Sequence, residues 1–371
     1  MIIYDLLIKF VNWLQSFFVQ NPSVLLSDVL AMIISAALPL IFVLTFVLWA
    51  VLAERKVSAW MQDRVGPNRT GPHGILQTVA DLVKLLQKED IVASENDKPL
   101  FNLAPVLVFS GAYMAFAIIP FSFAYIGSNI DLGLIFFVAA SGFVTAGILM
   151  AGWASNNKYS LLGAMRSAAQ IISYEIPTLL VLVTIIMITG TTNLRTLSEM
   201  QTGFFWNWMI FGGPGLSAAK FLFIPFMFIG FIILYISTLA EVNRTPFDIP
   251  EAESELVSGF HTEYSGMKFA MFFLSEYANM FAVSALVSAV FLGGYQSPFG
   301  YIGNLLHITW LVPIEQFFWF AFKGIFFVLV QMWLRWTLPR LRVDQLMALC
   351  WKYLIPIAFV NLIIVGLITV L

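Results

Sequence analysis

Apolar stretches about 20 residues long recur along this 371-residue chain, each matching the hydrocarbon thickness of a bilayer. A soluble fold gathers its apolar residues into one compact core and carries about 25% charged residues. This chain is 60% hydrophobic and 11% charged, with a mean hydropathy of +0.88. Lipid is therefore the solvent for most of it. The continuous apolar runs predict eight spanning helices, at roughly 31 to 53, 101 to 124, 132 to 154, 168 to 190, 219 to 241, 266 to 292, 313 to 336 and 347 to 369. The expected fold class is an all-α polytopic membrane protein, a single integral membrane domain over 1–371, since no linker or low-complexity segment interrupts it.

Residues 1–22 read differently. Ile2, Ile3, Leu6, Leu7, Phe10, Val11, Leu14, Phe17 and Phe18 fall at helical spacing opposite Asp5, Lys9, Asn12 and Gln15, the pattern of an interfacial amphipathic helix. The start is not basic and no small-residue cleavage pattern follows, which argues against a cleaved signal peptide. Charge orients the spans. With the N-terminus outside, the inside segments 54–100, 155–167, 242–268 and 335–352 hold 15 of the 19 Lys and Arg. The positive-inside bias then makes 54–100 and 241–268 charged cytoplasmic loops and leaves both termini outside. Trp49, Trp60, Trp153, Trp333, Trp336 and Trp351 lie near the inner ends, as belt residues do.

The same sequence narrows the chemistry. A single cysteine, Cys350, excludes a disulfide framework and a Cys-ligated iron-sulfur cluster within the chain. His73, His261 and His307 are scattered without paired ligand spacing, and no glycine-rich phosphate loop follows a predicted strand. No cofactor is expected on this chain, so a redox group must sit in a partner. The two halves show no similarity, which weakens an inverted-repeat transporter reading.

Functional signal concentrates in the inside loops. Residues 54–72, ERKVSAWMQDRVGPNRTGP, hold charge close to the bilayer and then force sharp turns. A topology signal alone also accounts for them. Next, Ile75, Leu76, Val79, Leu82, Val83 and Leu86 make one apolar face of a helix that is too polar to span, with Asp81, Lys84 and Lys88 on another. Asp81 pairing with Lys84 is the default for such neighbours. Residues 241–255 crowd Glu241, Asp248, Glu251, Glu253 and Glu255 around Arg244. Like charges beside low-dielectric lipid repel, so protons there become shareable; a solvated acidic loop is the alternative. Glu175 and Glu276 fall within predicted spans, roughly 12 and 15 Å of helix rise from the inner edge. An ionisable group at that depth costs at least about 2.5 kcal/mol, which makes it a functional candidate. A polar contact that locks helix packing is the competing reading. Lys323, deep in the seventh span, is an available counter-charge whose partner is not readable.

At these same places the chain resembles the H-type membrane subunits of bacterial NADH-quinone oxidoreductase, respiratory complex I, and their mitochondrial counterpart. The segments ERK at 54–56, MQDRVGPNRTGPHGILQ at 61–77, SAAQIISYEIP at 167–177, EVNRTPFDIPEAESELVSGFHTEYSG at 241–266, SEYANM at 275–280 and LPRLRVDQLM at 338–347 are similar to that family's signature stretches. Thr70 and Phe260 depart from it, at positions where the family often has an apolar residue and Tyr. Residues 1–30 and the outside loops show no signature.

The resemblance implies a subunit of a proton-translocating enzyme, not catalytic alone, in the bacterial inner membrane. It implies peripheral quinone-site and iron-sulfur subunits, antiporter-like and small membrane subunits, quinone and lipid as partners, with FMN and iron-sulfur clusters held by the other subunits and no nucleic acid involved. Carried over residue by residue, it puts Glu54, Arg55, Arg64 and Asp81 in a quinone tunnel and its mouth. Glu251, Glu253 and Glu255 would line an acidic loop shaped by Arg244 and Asp248, and Glu175, Glu241 and Glu276 would form a buried proton path. Three rivals remain open at this stage: the homologous membrane subunit of an energy-converting hydrogenase or formate hydrogenlyase, an autonomous secondary transporter, and a passive scaffold.

Overall fold

The computed structural model describes residue 9 and residues 24–214, 218–250, 253–305, 307–308 and 310–370; the side chains of 24–31, 218–220, 253–254 and 304–305 lie outside that description. The expected amphipathic helix at 1–22 therefore lies outside the described residues. Among them, eight helices are long and apolar enough to cross a membrane. In chain order the helices are α1 (Val24–Met61), α2 (Gln77–Gln87), α3 (Lys98–Ile118), α4 (Gly133–Ala154), α5 (Lys158–Thr189), α6 (Leu194–Met200), α7 (Ala218–Glu241), α8 (Glu253–Leu256), α9 (Gly266–Phe291), α10 (Ile302–Leu305), α11 (Leu311–Thr337), α12 (Val343–Ala348) and α13 (Ile355–Val370), with a π-helical turn, Leu349–Leu354, joining the last two. Helices are the expected form because lipid offers no partner to a backbone amide.

Two spans run further than their apolar cores. α1 continues through Met61, so Glu54, Arg55 and Lys56 stand on a helix rather than in the loop assigned to 54–100. α5 begins at Lys158, ten residues before its apolar run, because its polar first turns are packed rather than solvated. Gln170 donates to the Ala240 and Phe247 carbonyls at 2.8 Å each, and Ser160 to the Phe260 carbonyl at 3.3 Å. Hydropathy marks where lipid ends, and tertiary contacts carry the helix on.

Pro39 lies inside α1, where it cannot donate to the Ser35 carbonyl one turn back. The Tyr125 hydroxyl donates to that carbonyl at 2.6 Å, and Tyr113 donates to the neighbouring Ala36 carbonyl. α9 is the most buried span, enclosed along its length from Tyr277 to Phe291. One end of the bundle gathers the charged loops, tied by Asp97 N–H to the Ala154 carbonyl and Leu341 N–H to the Pro246 carbonyl, both at 3.1 Å. The opposite end is closed by Leu134 N–H to the Thr192 carbonyl and Phe205 N–H to the Pro298 carbonyl, both at 3.0 Å. The tryptophans assigned to a belt, Trp60, Trp153, Trp333, Trp336, Trp351 and Trp49, are exposed.

Candidate functional site

The extra length of α1 carries Glu54 beneath the charged end, where it is buried. Its carboxylate accepts from Tyr277 Oη on α9 at 2.6 Å, from Arg335 Nη1 on α11, and from Arg244 Nη1, just past α7, at 3.4 Å. The Arg244 guanidinium also lies 4.4 Å from the centre of the Tyr277 ring. Three spans and a loop are thus pinned by one carboxylate. Removing one member of a buried ion pair leaves an uncompensated charge and costs about 3–5 kcal/mol.

These groups line a cavity of about 450 Å³ at the charged end. Four arginines border it, Arg55, Arg64, Arg244 and Arg335, against the carboxylates Glu54 and Glu276. Ser58, Ser258, His261 and Tyr277 supply further polar groups, and Val51, Phe269, Phe273 and Trp336 an apolar wall. Arg64 is delivered by the turn-rich segment after α1, which folds back at Gly71 and Gly74 with φ of 72° and 79°. At Gly74 a Cβ would collide with the Pro67 carbonyl, so this return requires glycine. Asp81, on α2, pairs at 2.6 Å with Arg55 rather than with Lys84, its expected helical neighbour. Gln77 also donates to Asp81, at 3.2 Å, so α2 is held against the end of α1 beside the cavity.

Glu276, one residue before Tyr277, faces the cavity and also a second, small space of about 20 Å³ that reaches Glu241 and Asn279. A third space, of about 30 Å³, runs on from Glu241 and Asn279 to Ser141. Each is large enough for one water and lined mainly by apolar side chains, with Glu241 and Asn279 as the polar groups common to both. Ser141 donates to Glu175 at 2.5 Å, while Thr178, one turn beyond Glu175 on α5, donates to Glu241 at 2.9 Å. The cavity, Glu276 and Glu241 thus border successive spaces, and Glu175 joins the last of them through its hydrogen bond with Ser141. His261 lines the cavity beside Glu276, with Nε2 at 3.2 Å from Glu276 Oε1.

Other residues named from sequence lie elsewhere. Asp248 is buried and accepts from Arg340 at 2.9 Å, tying the acidic loop to the segment after α11. Glu255 is exposed, pairs with Arg166 of α5 at 2.6 Å, and does not line the cavity. Glu251 and the Glu253 side chain lie outside the described residues. Lys323 meets three carbonyls at the end of α9, those of Leu292, Gly294 and Gln296, at 2.6, 3.0 and 2.6 Å, and sits 4.4 Å from the Trp208 ring centre. Its counterpart is thus a helix C-terminus, where cations are favoured. No group of three His, Cys, Asp or Glu side chains is placed to hold a metal among the described residues.

Sequence reasoning missed Arg335, Tyr277, His261, Ser141, Thr178 and Asn279. Tyr277 lies in the stretch at 275–280 and Arg335 beside the one at 338–347, but their partner Glu54 is more than 200 residues away. Hydroxyl residues inside apolar helices carry no signal until the facing helix is known.

The sequence pattern of the NADH dehydrogenase family matches residues 34–366. Similar curated proteins include the H-type NADH-quinone oxidoreductase subunit of Chlorobium luteolum, 51% identical over 91% of this chain and 89% of its own length. The proteins of the same name from Chlorobaculum tepidum and Brevibacillus brevis are 50% and 46% identical, over 91% of this chain and 92% of each relative.

Proposed function

This chain belongs to the NADH dehydrogenase family, and on that premise we propose that it is the membrane subunit of a proton-translocating NADH-quinone oxidoreductase that walls the quinone cavity and passes its electrostatic change to a buried carboxylate path. The observation that carries this reading is Glu276, which borders both the arginine-rich cavity and the first of the small spaces leading to Glu241.

Reducing a quinone adds two electrons and two protons, and negative charge develops on its oxygens before the protons arrive. The four arginines are preorganised to stabilise that charge in a site with an apolar wall. Phe269, Phe273, Val51 and Trp336 suit the ring and the start of an isoprenoid tail. Electrons come from redox groups of partner subunits. A charge change in the cavity alters the field on Glu276, and a proton taken or released there is relayed through Glu241 to Glu175 with Asn279 and Ser141 beside the steps. In the membrane the charged end faces the cytoplasm, as the positive-inside bias requires.

Arg64 and Asp81 test the reading. Arg64→Met or Asp81→Asn should lower quinone-linked turnover at least about tenfold. NADH oxidation with a hydrophilic artificial acceptor, which takes electrons before the membrane, should stay intact. Equal loss of both activities would mean an assembly defect and remove these residues from the quinone site.

A further inference from the structure

The cavity and the carboxylate series meet at Glu276, and there His261 contacts its carboxyl group. We propose that His261 carries protons between the cavity and Glu276, acting as the imidazole partner through which this carboxyl group exchanges protons with the quinone space. This rests on the reading of Glu276 as the first carboxylate of a proton path.

The geometry is specific. His261 ends the short turn Gly259–His261, and its side chain is only 6% exposed. The rings of Phe260, Phe269 and Phe272 surround it at centroid distances of 3.9, 5.6 and 5.3 Å, so the imidazole is held by packing. It borders the cavity while Nε2 meets Glu276 Oε1 at 3.2 Å. The charged groups sharing that cavity are Glu54, Arg55, Arg64, Arg244 and Arg335, with the Tyr277 phenol on the helix that carries Glu276. An imidazole has two ring nitrogens, one able to accept while the other donates, which a carboxylate cannot offer across a ring. In the transfer, the imidazole takes the Glu276 carboxyl proton at Nε2. The resulting imidazolium gives a proton to a reduced quinone oxygen or to cavity water, leaving a neutral ring and an ionised Glu276. The reverse sequence loads Glu276 from the cavity.

The test uses the assembled complex in membranes, carrying His261→Ala. Quinone-linked turnover should fall roughly 100- to 10,000-fold, the usual contribution of a positioned acid or base. NADH oxidation by a hydrophilic acceptor should be retained. Added imidazole should then restore quinone turnover in a concentration-dependent way, while pyrazole, of the same shape but scarcely basic, should not. Equal rescue by both compounds would show that His261 only fills space, and full activity without rescue would overturn the proposal outright. Should the Ala variant fail to assemble, His261→Gln keeps bulk and a hydrogen bond without the titration, and full turnover in it overturns the proposal equally. Glu276→Gln measured alongside separates the two readings. If it is impaired while His261→Gln is normal, the carboxylate path stands and the imidazole step falls; if both are normal, both fall.

Discussion

Glu54 sits between Arg244, Arg335 and the Tyr277 phenol, and its neutralisation would remove the carboxylate that the two guanidinium groups share. Glu54→Gln should therefore destabilise the assembled subunit by about 3–5 kcal/mol, read as reduced subunit content and a lower melting temperature. Combining it with Arg335→Met should recover part of the loss, because the double change removes one unpaired charge. Purely additive losses would show that the two groups do not interact. This residue scale is also where the sequence was legible and illegible at once. Glu175 and Glu276 stand out because a charge within a span is costly enough to demand a reason, whereas Glu54 and Arg244 are marked by the family resemblance. His261 does not stand out, since a lone histidine without ligand spacing has no meaning until the fold puts Glu276 beside it. Asp81 was visible, but helical spacing pointed to Lys84, and the contact with Arg55 on another helix prevails.

At the scale of elements, apolar length located the spans and tertiary packing set their ends. α1 and α5 extend past their hydrocarbon stretches because Glu54 and Ser160 find partners inside the protein, which hydropathy does not register. The proline position in α1 offers a measurable case. Pro39 leaves the Ser35 carbonyl without a helical donor, and the Tyr125 hydroxyl takes the donor's place. Tyr125→Phe should cost about 1–3 kcal/mol, the penalty for an unsatisfied polar group, as a lower melting temperature with quinone turnover nearly unchanged below it. Adding Pro39→Ala should offset that cost by restoring the helical hydrogen bond. If Tyr125→Phe is as harmful in the Pro39→Ala background as in the unaltered chain, the tyrosine is not serving the proline gap.

Across the whole molecule, the most buried helix, α9, carries Glu276 and Tyr277 at adjacent positions. Successive residues on a helix point about 100° apart, so the two side chains address different neighbours: Tyr277 joins the Glu54 ion-pair cluster, and Glu276 meets His261 and the path to Glu241. A change of charge in the cavity thus acts on one rigid element that also bounds the carboxylate series. The outline of this arrangement, inside loops over eight spans with rare buried carboxylates, follows from charge and hydropathy. The spaces that connect it depend on Asn279, inside the stretch at 275–280, and on Ser141, which no pattern distinguishes. The direct measurement is the proton-to-electron ratio of the Glu276→Gln complex in sealed vesicles. Gln keeps the size and much of the hydrogen bonding but cannot titrate, so the complex should assemble with normal subunit content, lose most of its quinone-linked turnover and pumping, and regain more of both with Asp than with Gln. Full turnover with an unchanged proton-to-electron ratio in Glu276→Gln would contradict the account.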